Sequence, residues 1–311
     1  VSPGTPMEKM LYEETERMIK AYGNHPSFVL LSPSNEPKGR WKEAFDKWIA
    51  HYRAADPRRL YTNGTGHTER EVPGLDQGTD FLVMQRIGPK MLRGNSAWFG
   101  KDYGKSLEGI NIPVASHELG QWVAYPDFDV IKKFNGYLRP GNYEIFRDSL
   151  AKKGLLHRNK DFAHSSGKFQ LECYKEEIEA NLRTPGMYGF QLLDLHDYIG
   201  QGTALVGLLD PFWEEKGYVT AKEFTRFNNE TVPLARLYKR TFEADETLDV
   251  DVEIAHFGER PLENALVYWK IVDEKGVTRK TGNLHGSSTD SAKGHRIEVG
   301  KNIPLGKIKT E

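Results

Sequence analysis

Two glutamates, Glu36 and Glu118, each follow a short apolar run that is typical of a buried strand. Residues 28–31 lead into Glu36, and residues 112–115 lead into Glu118. In a barrel of parallel strands, the C-terminal strand ends meet on one face and form the active site. Glycoside hydrolysis requires two carboxyl groups, one to protonate the leaving oxygen and one to attack or to activate water. The pair therefore predicts glycosidase chemistry.

Helices and strands that alternate along the chain would position these glutamates. A helix is expected to begin after the cap residue Thr5 and to end at Gly23, and others are expected over residues 41–55 and around 221–238. Apolar runs predict strands near residues 28–32, 60–63, 81–85, 113–117 and 188–194. This alternation indicates an α/β fold with a parallel sheet.

The number of strands sets the expected domain organisation. Five strand–helix units are too few for a closed (β/α)8 TIM barrel, and they match its C-terminal half, strands four to eight. After about residue 246 the pattern changes to period two over 248–255 and 265–272, with a hairpin-type turn over 273–276. We expect a barrel domain over residues 1–245 and a partial β-sandwich over 246–311, with the first three barrel strands outside this chain.

Composition and charge argue against several kinds of partner. The net charge of −1 and the pI near 6.9 argue against a nucleic-acid surface and an anionic-membrane surface. No apolar run approaches the roughly 20 residues that a transmembrane helix needs. Cys173 is the only cysteine, so no intrachain disulfide can form. The cysteine content therefore fits both a cytoplasmic protein and a secreted protein without disulfides. The histidines lack both the H-E-x-x-H pattern and the Cys/His spacing of a metal site.

Two motifs, in this order, resemble those of family 2 glycoside hydrolases, the β-galactosidase and β-glucuronidase group. Asn24-His25-Pro26-Ser27 before a strand that ends in Asn35-Glu36-Pro37 resembles the acid/base segment. Ser116-His117-Glu118-Leu-Gly-Gln-Trp122 resembles the nucleophile segment. Residues 189–207 resemble the last barrel strand and its loop in a subset of the family, and residues 246–311 resemble the immunoglobulin-like sandwich that often follows the barrel.

The resemblance implies a role for three residues. Glu36 would be the general acid/base, Glu118 the nucleophile, and Asn35 a contact to the sugar 2-hydroxyl. It also implies retention of the anomeric configuration and, as substrate, a terminal β-linked sugar of an oligosaccharide or polysaccharide. Neither a metal nor an organic cofactor is required by this chemistry. The resemblance further suggests a periplasmic or secreted bacterial protein, although the N-terminal residues do not form a signal peptide.

Further candidate ligands for the substrate lie near the predicted strand ends. They are His67, His117, Trp122, Asp194, His196 and Asp197. His117 could donate a hydrogen bond to the nucleophile. The group at 194–197 could either hold sugar hydroxyls or brace the loop. Trp122 could stack on a sugar or fill the core, and the same alternatives apply, less strongly, to Trp98 and Trp213.

Two interpretations compete with catalysis by this chain. In the first, the barrel is incomplete and the chain is a non-catalytic carbohydrate-binding or structural remnant. In the second, the chain is an interaction module, because the open edge and uncovered apolar faces of half a barrel tend to pair with another chain. That chain would be the missing N-terminal part or a second copy.

Overall fold

The computed structural model describes residues 1–67, 77–85, 99–202, 205–243, 246–260, 262, 266–285 and 296–306. The chain divides into two compact units. The first unit comprises Val1–Met91, Tyr103–Leu119 and Gly186–Leu192. The second unit comprises Leu92–Asp102, Gly120–Pro185 and Leu193–Glu311.

Helices and strands alternate through most of the chain and give way to strands near its end. The helices are α1 (Pro6–Tyr22), α2 (Trp41–Ala55), α3 (Gly104–Leu107), α4 (Gly141–Lys152), α5 (Asn159–Arg183) and α6 (Ala221–Phe224), with 3-10 turns at Phe128–Lys133, Leu156–Arg158 and Ile199–Gln201. The strands are β1 (Leu30–Leu31), β2 (Leu60–Tyr61), β3 (Thr65–His67), β4 (Leu82–Gln85), β5 (Val114–Gly120), β6 (Met187–Leu193), β7 (Thr231–Arg236), β8 (Leu248–His256), β9 (Leu266–Val272), β10 (Thr278–His285) and β11 (Arg296–Gly306). Among the described residues, no helix is long and apolar enough to cross a membrane.

Parallel strands follow one another in chain order to form what we call the parallel row. β1 pairs with β2, and a bridge between Asn35 and Thr65 continues this pairing to β3. β3, β4, β5 and β6 are neighbours in that order, with parallel pairing from β3 to β5. Because β2 and β3 are separated only by residues 62–64, the row has five positions, and each of the five predicted strands is confirmed. Parallel strands require crossover connections, which the intervening helices and loops provide.

The first two helices form as their sequences predict. Thr5 caps α1 by accepting a hydrogen bond from the Glu8 backbone N–H at 3.3 Å, and the Glu8 carboxylate accepts from the Gly4 N–H rather than from that of Thr5. The apolar face of α2 packs against β1 and β2 in a buried cluster of Leu31, Trp48, Ile49, Tyr52 and Tyr61. Each such side chain contributes roughly 1.5–3 kcal/mol by leaving water. This burial fixes β1, and with it the segment that leads to Glu36.

The second unit contains antiparallel strands near the C-terminus. β8 pairs with β7 and with β11, while β9 and β10 form a hairpin that turns at residues 273–276. Val250 and Val252 of β8 pack with Val267, Trp269 and Ile271 of β9. The strands predicted from period two are therefore present at β8 and β9.

The prediction of a helix around residues 221–238 is wrong beyond α6. Residues 231–236 form β7, in which Val232 and Leu234 are buried and their neighbours in the strand are not. Pro233 cannot donate the backbone hydrogen bond that a helix interior needs, and alternation of buried residues satisfies a sheet. Pairing with β8 therefore decides the conformation of this segment.

Candidate active site

Asn35 and Glu36 are held at the end of β1 by the neighbouring strand. The Glu36 backbone N–H donates to Thr65 O at 2.9 Å, and the Thr65 N–H donates to Ser34 O at 2.8 Å. The Thr65 hydroxyl donates to Oδ1 of Asn35 at 3.0 Å. Both Asn35 and Glu36 are exposed. The backbone bonds therefore fix the end of the strand while the two polar side chains stay accessible to a ligand.

The backbone of Gly66 lies directly against Asn35 and Glu36, where a side chain would not fit. Its φ is +80°, and a Cβ atom built there would lie 2.8 Å from both Oδ1 of Asn35 and Cγ of Glu36. Such distances are shorter than van der Waals contact, so only glycine leaves Asn35 and Glu36 in the observed positions.

Glu118 lies within β5, two residues before its end, so the strand extends past the predicted residue 117. The side chains of His117 and Glu118 are both 16% exposed, and Nε2 of His117 lies 3.6 Å from Oε1 of Glu118. Nδ1 of His117 lies 2.6 Å from Oε1 of Gln191 on β6. Because an amide oxygen only accepts, Nδ1 carries a hydrogen.

Nε2 of His117 is buried and makes no hydrogen bond with the described part of the chain. Buried polar atoms usually have a partner, so this atom is a candidate contact for a ligand hydroxyl. Gln191, which orients the ring, was not identified from the sequence. The available signal was a single polar side chain within the apolar run at 187–193.

Both predicted catalytic glutamates adopt left-handed backbone conformations. The φ angles are +46° at Glu36 and +53° at Glu118. Among the described residues, Gln121 and Trp213 are the only other non-glycine residues with positive φ. Non-glycine residues in this region are strained by roughly 1–3 kcal/mol, and such residues cluster at functional sites. The two glutamates thus share a rare feature that their sequence motifs do not predict.

Glu36 and Glu118 lie at the same edge of the parallel row, since parallel strands present their carboxyl ends together. They occupy the first and fourth positions, so three strand spacings, roughly 14 Å along the sheet, separate their backbones. The first unit thus brings together Asn35, Glu36, His117 and Glu118, four of the predicted site residues. His67 belongs to β3, and its side chain lies outside the described residues.

Trp122 and Asp194 belong to the second unit and are anchored locally. Nε1 of Trp122 donates to Oε2 of Glu177 on α5 at 2.8 Å, and the indole is half-buried. Oδ1 of Asp194 accepts from the Leu195 N–H at 2.7 Å. Neither contact prevents binding to a sugar, and neither requires it.

Asp197 is buried, and both of its carboxylate oxygens are occupied. Oδ1 accepts from Nζ of Lys216 at 2.8 Å and from the Gly207 N–H at 3.0 Å, and Oδ2 accepts from the Tyr143 hydroxyl at 2.8 Å. Burial raises the pKa of the Asp197 carboxyl, which the Lys216 ammonium only partly offsets, and burial lowers the pKa of Lys216. These contacts favour bracing of the loop, one of the two alternatives that the sequence left open.

His196 packs on an exposed tryptophan. The rings of His196 and Trp213 have centroids 4.4 Å apart and planes 36° apart. Nδ1 of His196 lies 2.9 Å from the backbone oxygen of Asp197. Trp98, the remaining tryptophan considered as a sugar contact, lies outside the described residues. No group of three or more His, Cys, Asp or Glu side chains suited to a metal ion occurs within the described ranges.

Part of the chain matches a known family. Residues 3–84 match the model described as Glycosyl hydrolases family 2, TIM barrel domain. The predicted resemblance is therefore confirmed over this segment, which contains Glu36, whereas Glu118 lies beyond it. Residues 246–311 match a domain of unknown function, DUF8488. No curated protein matches the chain.

Several solved structures are similar over nearly the whole chain. They include a candidate beta-galactosidase from Bacteroides fragilis, with 14% identity and a TM-score of 0.46, where the match covers 96% of this chain and 40% of that one. A beta-glucuronidase from Parabacteroides merdae has 11% identity and a TM-score of 0.43, with coverages of 96% and 38%. An FMN-binding beta-glucuronidase from Facaelibacterium prausnitzii L2-6 has 13% identity and a TM-score of 0.41, with coverages of 94% and 40%. The chain spans about two fifths of the length of these proteins.

Proposed function

From the match of residues 3–84 to the TIM-barrel domain of family 2 glycosyl hydrolases, we propose that this chain carries the catalytic glutamates of a retaining glycosidase. The proposed substrate is a terminal β-linked sugar of an oligosaccharide or polysaccharide, cleaved as by a β-galactosidase. In this proposal the parallel row corresponds to strands four to eight of a (β/α)8 barrel over residues 1–245. The strands after residue 246 belong to a partial immunoglobulin-like sandwich.

The observation that supports the proposal most is the shared left-handed backbone of Glu36 and Glu118 at one edge of the parallel row. Each residue stands in its own sequence motif, and neither motif implies a strained backbone. Strain of this kind persists where the surrounding structure over-determines a position, as in a site that is pre-organised for chemistry. A pair of salt-bridging surface glutamates would have no reason to share it.

The proposed mechanism is a double displacement. The Glu118 carboxylate forms a bond to the anomeric carbon while the bond to the glycosidic oxygen breaks, and Glu36 gives its proton to that oxygen. Water then attacks the same carbon, Glu36 takes the proton of the water, and the bond to Glu118 breaks. Both carboxyl groups return to their starting states. Retaining enzymes hold the two carboxyl groups about 5–5.5 Å apart, and curvature of the row into a barrel would bring them closer than on a flat sheet.

Further residues near the strand ends would contact the substrate. Asn35 would contact the 2-hydroxyl of the sugar, and Nε2 of His117 would contact a second hydroxyl. We also assign sugar contacts to His67, Trp122, Asp194 and His196, as the sequence predicts. Asp197 is the exception, since its oxygens are already bound to groups of the loop that it braces.

A covalent label tests the role of Glu118. The full-length gene product that carries this sequence would be incubated with 2-deoxy-2-fluoro derivatives of galactose, glucuronic acid and mannose, and the labelled peptide identified by mass spectrometry. We expect the label on Glu118 with one of these sugars, no label in Glu118→Gln, and normal labelling in Glu108→Gln, an exposed control. A label at another residue, or none across the panel, would remove the assignment.

Azide rescue tests the role of Glu36 separately. Glu36→Ala should lose activity on natural glycosides but keep the first step on substrates with activated leaving groups, because these need no proton donor. Azide should then restore turnover and give a glycosyl azide of retained configuration. If azide leaves the rate unchanged, Glu36 is not the acid/base.

An interaction module is the second candidate function, and exposed apolar residues favour it. Met7, Met10 and Tyr22 on α1 are each more than half exposed, as is Leu30 of β1. Large exposed apolar areas commonly mark surfaces that another chain covers. Light scattering after size-exclusion chromatography would show whether the chain pairs with a second copy, and a strictly monomeric chain would count against that partner.

A further inference from the structure

A tight turn in the second unit presents Trp213 at its corner. A bridge between Leu209 and Glu215 brings the two sides of the turn together, and a second bridge joins Leu209 to His196. The Asp210 N–H donates to Glu214 O at 2.9 Å, and the Trp213 N–H donates to Asp210 O at 3.0 Å. Residues 211 and 212 form the tip. The turn is thus closed by two backbone bonds immediately around Trp213.

The Asp210 carboxylate clamps this turn from within. Its side chain is only 3% exposed. Oδ1 accepts from the N–H groups of Phe212 and Glu214 at 2.8 and 3.0 Å, and Oδ2 accepts from Nζ of Lys133 at 2.5 Å. A turn whose central carboxylate makes three hydrogen bonds holds its corner residue in a defined conformation.

Trp213 is an unfavourable residue for the position that it occupies. Its φ of +66° lies in the left-handed region, which favours glycine, and its indole is 60% exposed. Neither backbone strain nor an exposed indole stabilises the fold. A large aromatic ring kept in this conformation at the surface therefore indicates a contact outside the chain.

His196 supports one side of the indole and is itself fixed. Its Nδ1 donates to the backbone oxygen of Asp197, because a carbonyl oxygen only accepts. The other ring nitrogen, Nε2, is hydrogen-bonded by no residue in the described ranges. Asp197 is anchored by Lys216 and Tyr143, so the buried brace holds the histidine against Trp213.

We propose that Trp213 and His196 form a stacking surface for one pyranose ring of a glycan. The face of an indole carries negative charge density and attracts the weakly positive C–H groups on the apolar face of a pyranose. Nε2 of His196 supplies a hydrogen-bond partner for a sugar hydroxyl at the same surface. The choice of a sugar as ligand rests on the proposed glycosidase function, whereas the surface itself lies entirely within the second unit.

Binding measurements on the full-length gene product test the surface without requiring turnover. Saturation-transfer difference NMR would be recorded with methyl β-D-galactopyranoside, methyl β-D-glucuronide and lactose. Trp213→Gly suits the left-handed backbone and should fold, yet its affinity should fall about tenfold, equivalent to one stacked ring. Trp213→Phe keeps an aromatic face and should retain most of the affinity. Tyr137→Ala, which removes a fully exposed aromatic ring elsewhere, should bind as the unmodified protein does.

The outcomes separate this surface from the catalytic assignment. If Trp213→Gly binds every probe as well as the unmodified protein, or if no probe binds at all, the surface is overturned, whatever is found at Glu118. If Trp213→Gly loses binding but Glu118 is never labelled, the surface stands and the proposed catalytic function fails. The same loss in a Glu118→Gln background would show that the two sites bind sugar independently.

Discussion

Gly66→Ala should perturb the candidate active site while both glutamates are kept. A Cβ atom at residue 66 would lie 2.8 Å from Oδ1 of Asn35 and from Cγ of Glu36. The Asn35 amide must then move away from the Thr65 hydroxyl, which donates to it at 3.0 Å. Glu36 must move as well, because its backbone N, 3.3 Å from the added atom, limits the space on that side.

The expected decrease in the free energy of unfolding of Gly66→Ala is the sum of three contributions. Alanine in the left-handed region costs about 1 kcal/mol relative to glycine. Loss of the hydrogen bond between Thr65 and Asn35 costs about 1 kcal/mol, and overpacking adds roughly 1–3 kcal/mol. We therefore expect the free energy of unfolding to fall by about 3–5 kcal/mol. A displacement of Glu36 by about 1 Å should lower kcat/KM by about 100-fold.

Gly109→Ala provides a matched control in the same unit. Gly109 has a φ of +81°, nearly that of Gly66, and no atom lies within 4 Å of a Cβ built there. The control should lose only the backbone contribution, about 1 kcal/mol, and should keep full activity. Urea unfolding and hydrolysis of aryl glycosides by the full-length gene product measure both effects. Equal stability and equal activity of the two variants would refute the contact between Gly66 and the Asn35–Glu36 pair.

Three further substitutions or treatments test the buried interior. Asp197→Asn should lower the free energy of unfolding by about 3 kcal/mol, because it leaves the Lys216 ammonium buried and unpaired. Burial lowers the pKa of Lys216. The loss of stability in Asp197→Asn should therefore shrink as pH rises toward 10, where Lys216 of the unfolded chain also loses its proton. A loss that does not depend on pH, measured by urea titration, would contradict this. Burial raises the pKa of the Cys173 thiol to about 11. Alkylation of this thiol by iodoacetamide at pH 8 should therefore be about 100-fold slower than in the unfolded chain, because the thiolate is the reactive form. Rapid labelling of the folded chain would show that the thiol is accessible. Nε1 of Trp48 donates to the Thr15 hydroxyl at 3.2 Å. In thermal unfolding, Thr15→Val should be destabilised by about 1–3 kcal/mol, whereas Thr15→Ser, which keeps the hydroxyl, should change little. Equal stability of the two variants would show that this hydrogen bond does not stabilise the fold.

Local sequence signals were sufficient where helical spacing and burial agree. α2 has the predicted bounds, since its apolar residues recur at helical spacing and pack against β1 and β2. β7 shows the opposite case, because residues 231–236 pair with a strand that begins at residue 248. Helical propensity in a short window carries no information about such a partner, and the pairing decides the conformation.

The candidate site divides in the same way. Glu36 and Glu118 were identified by residue type and by position at strand ends, which a linear sequence displays. Gln191 was not identified, because its significance lies in a 2.6 Å contact with His117 across two strands that are more than seventy residues apart in sequence. The bracing of Asp197 by Lys216 likewise could not be separated from sugar binding until burial was known.

Apolar runs and motifs in the sequence were enough to predict the order of the strands and the two glutamates at their ends that suit glycoside hydrolysis. Apolar period, caps and turn residues act within a few positions and need no distant partner. The three-dimensional fold was needed to show that both glutamates adopt left-handed backbones, that Gly66 leaves room for one of them, and that Trp213 is held exposed at a closed turn. Those features arise from contacts between segments far apart in the chain, where packing rather than local preference sets the backbone.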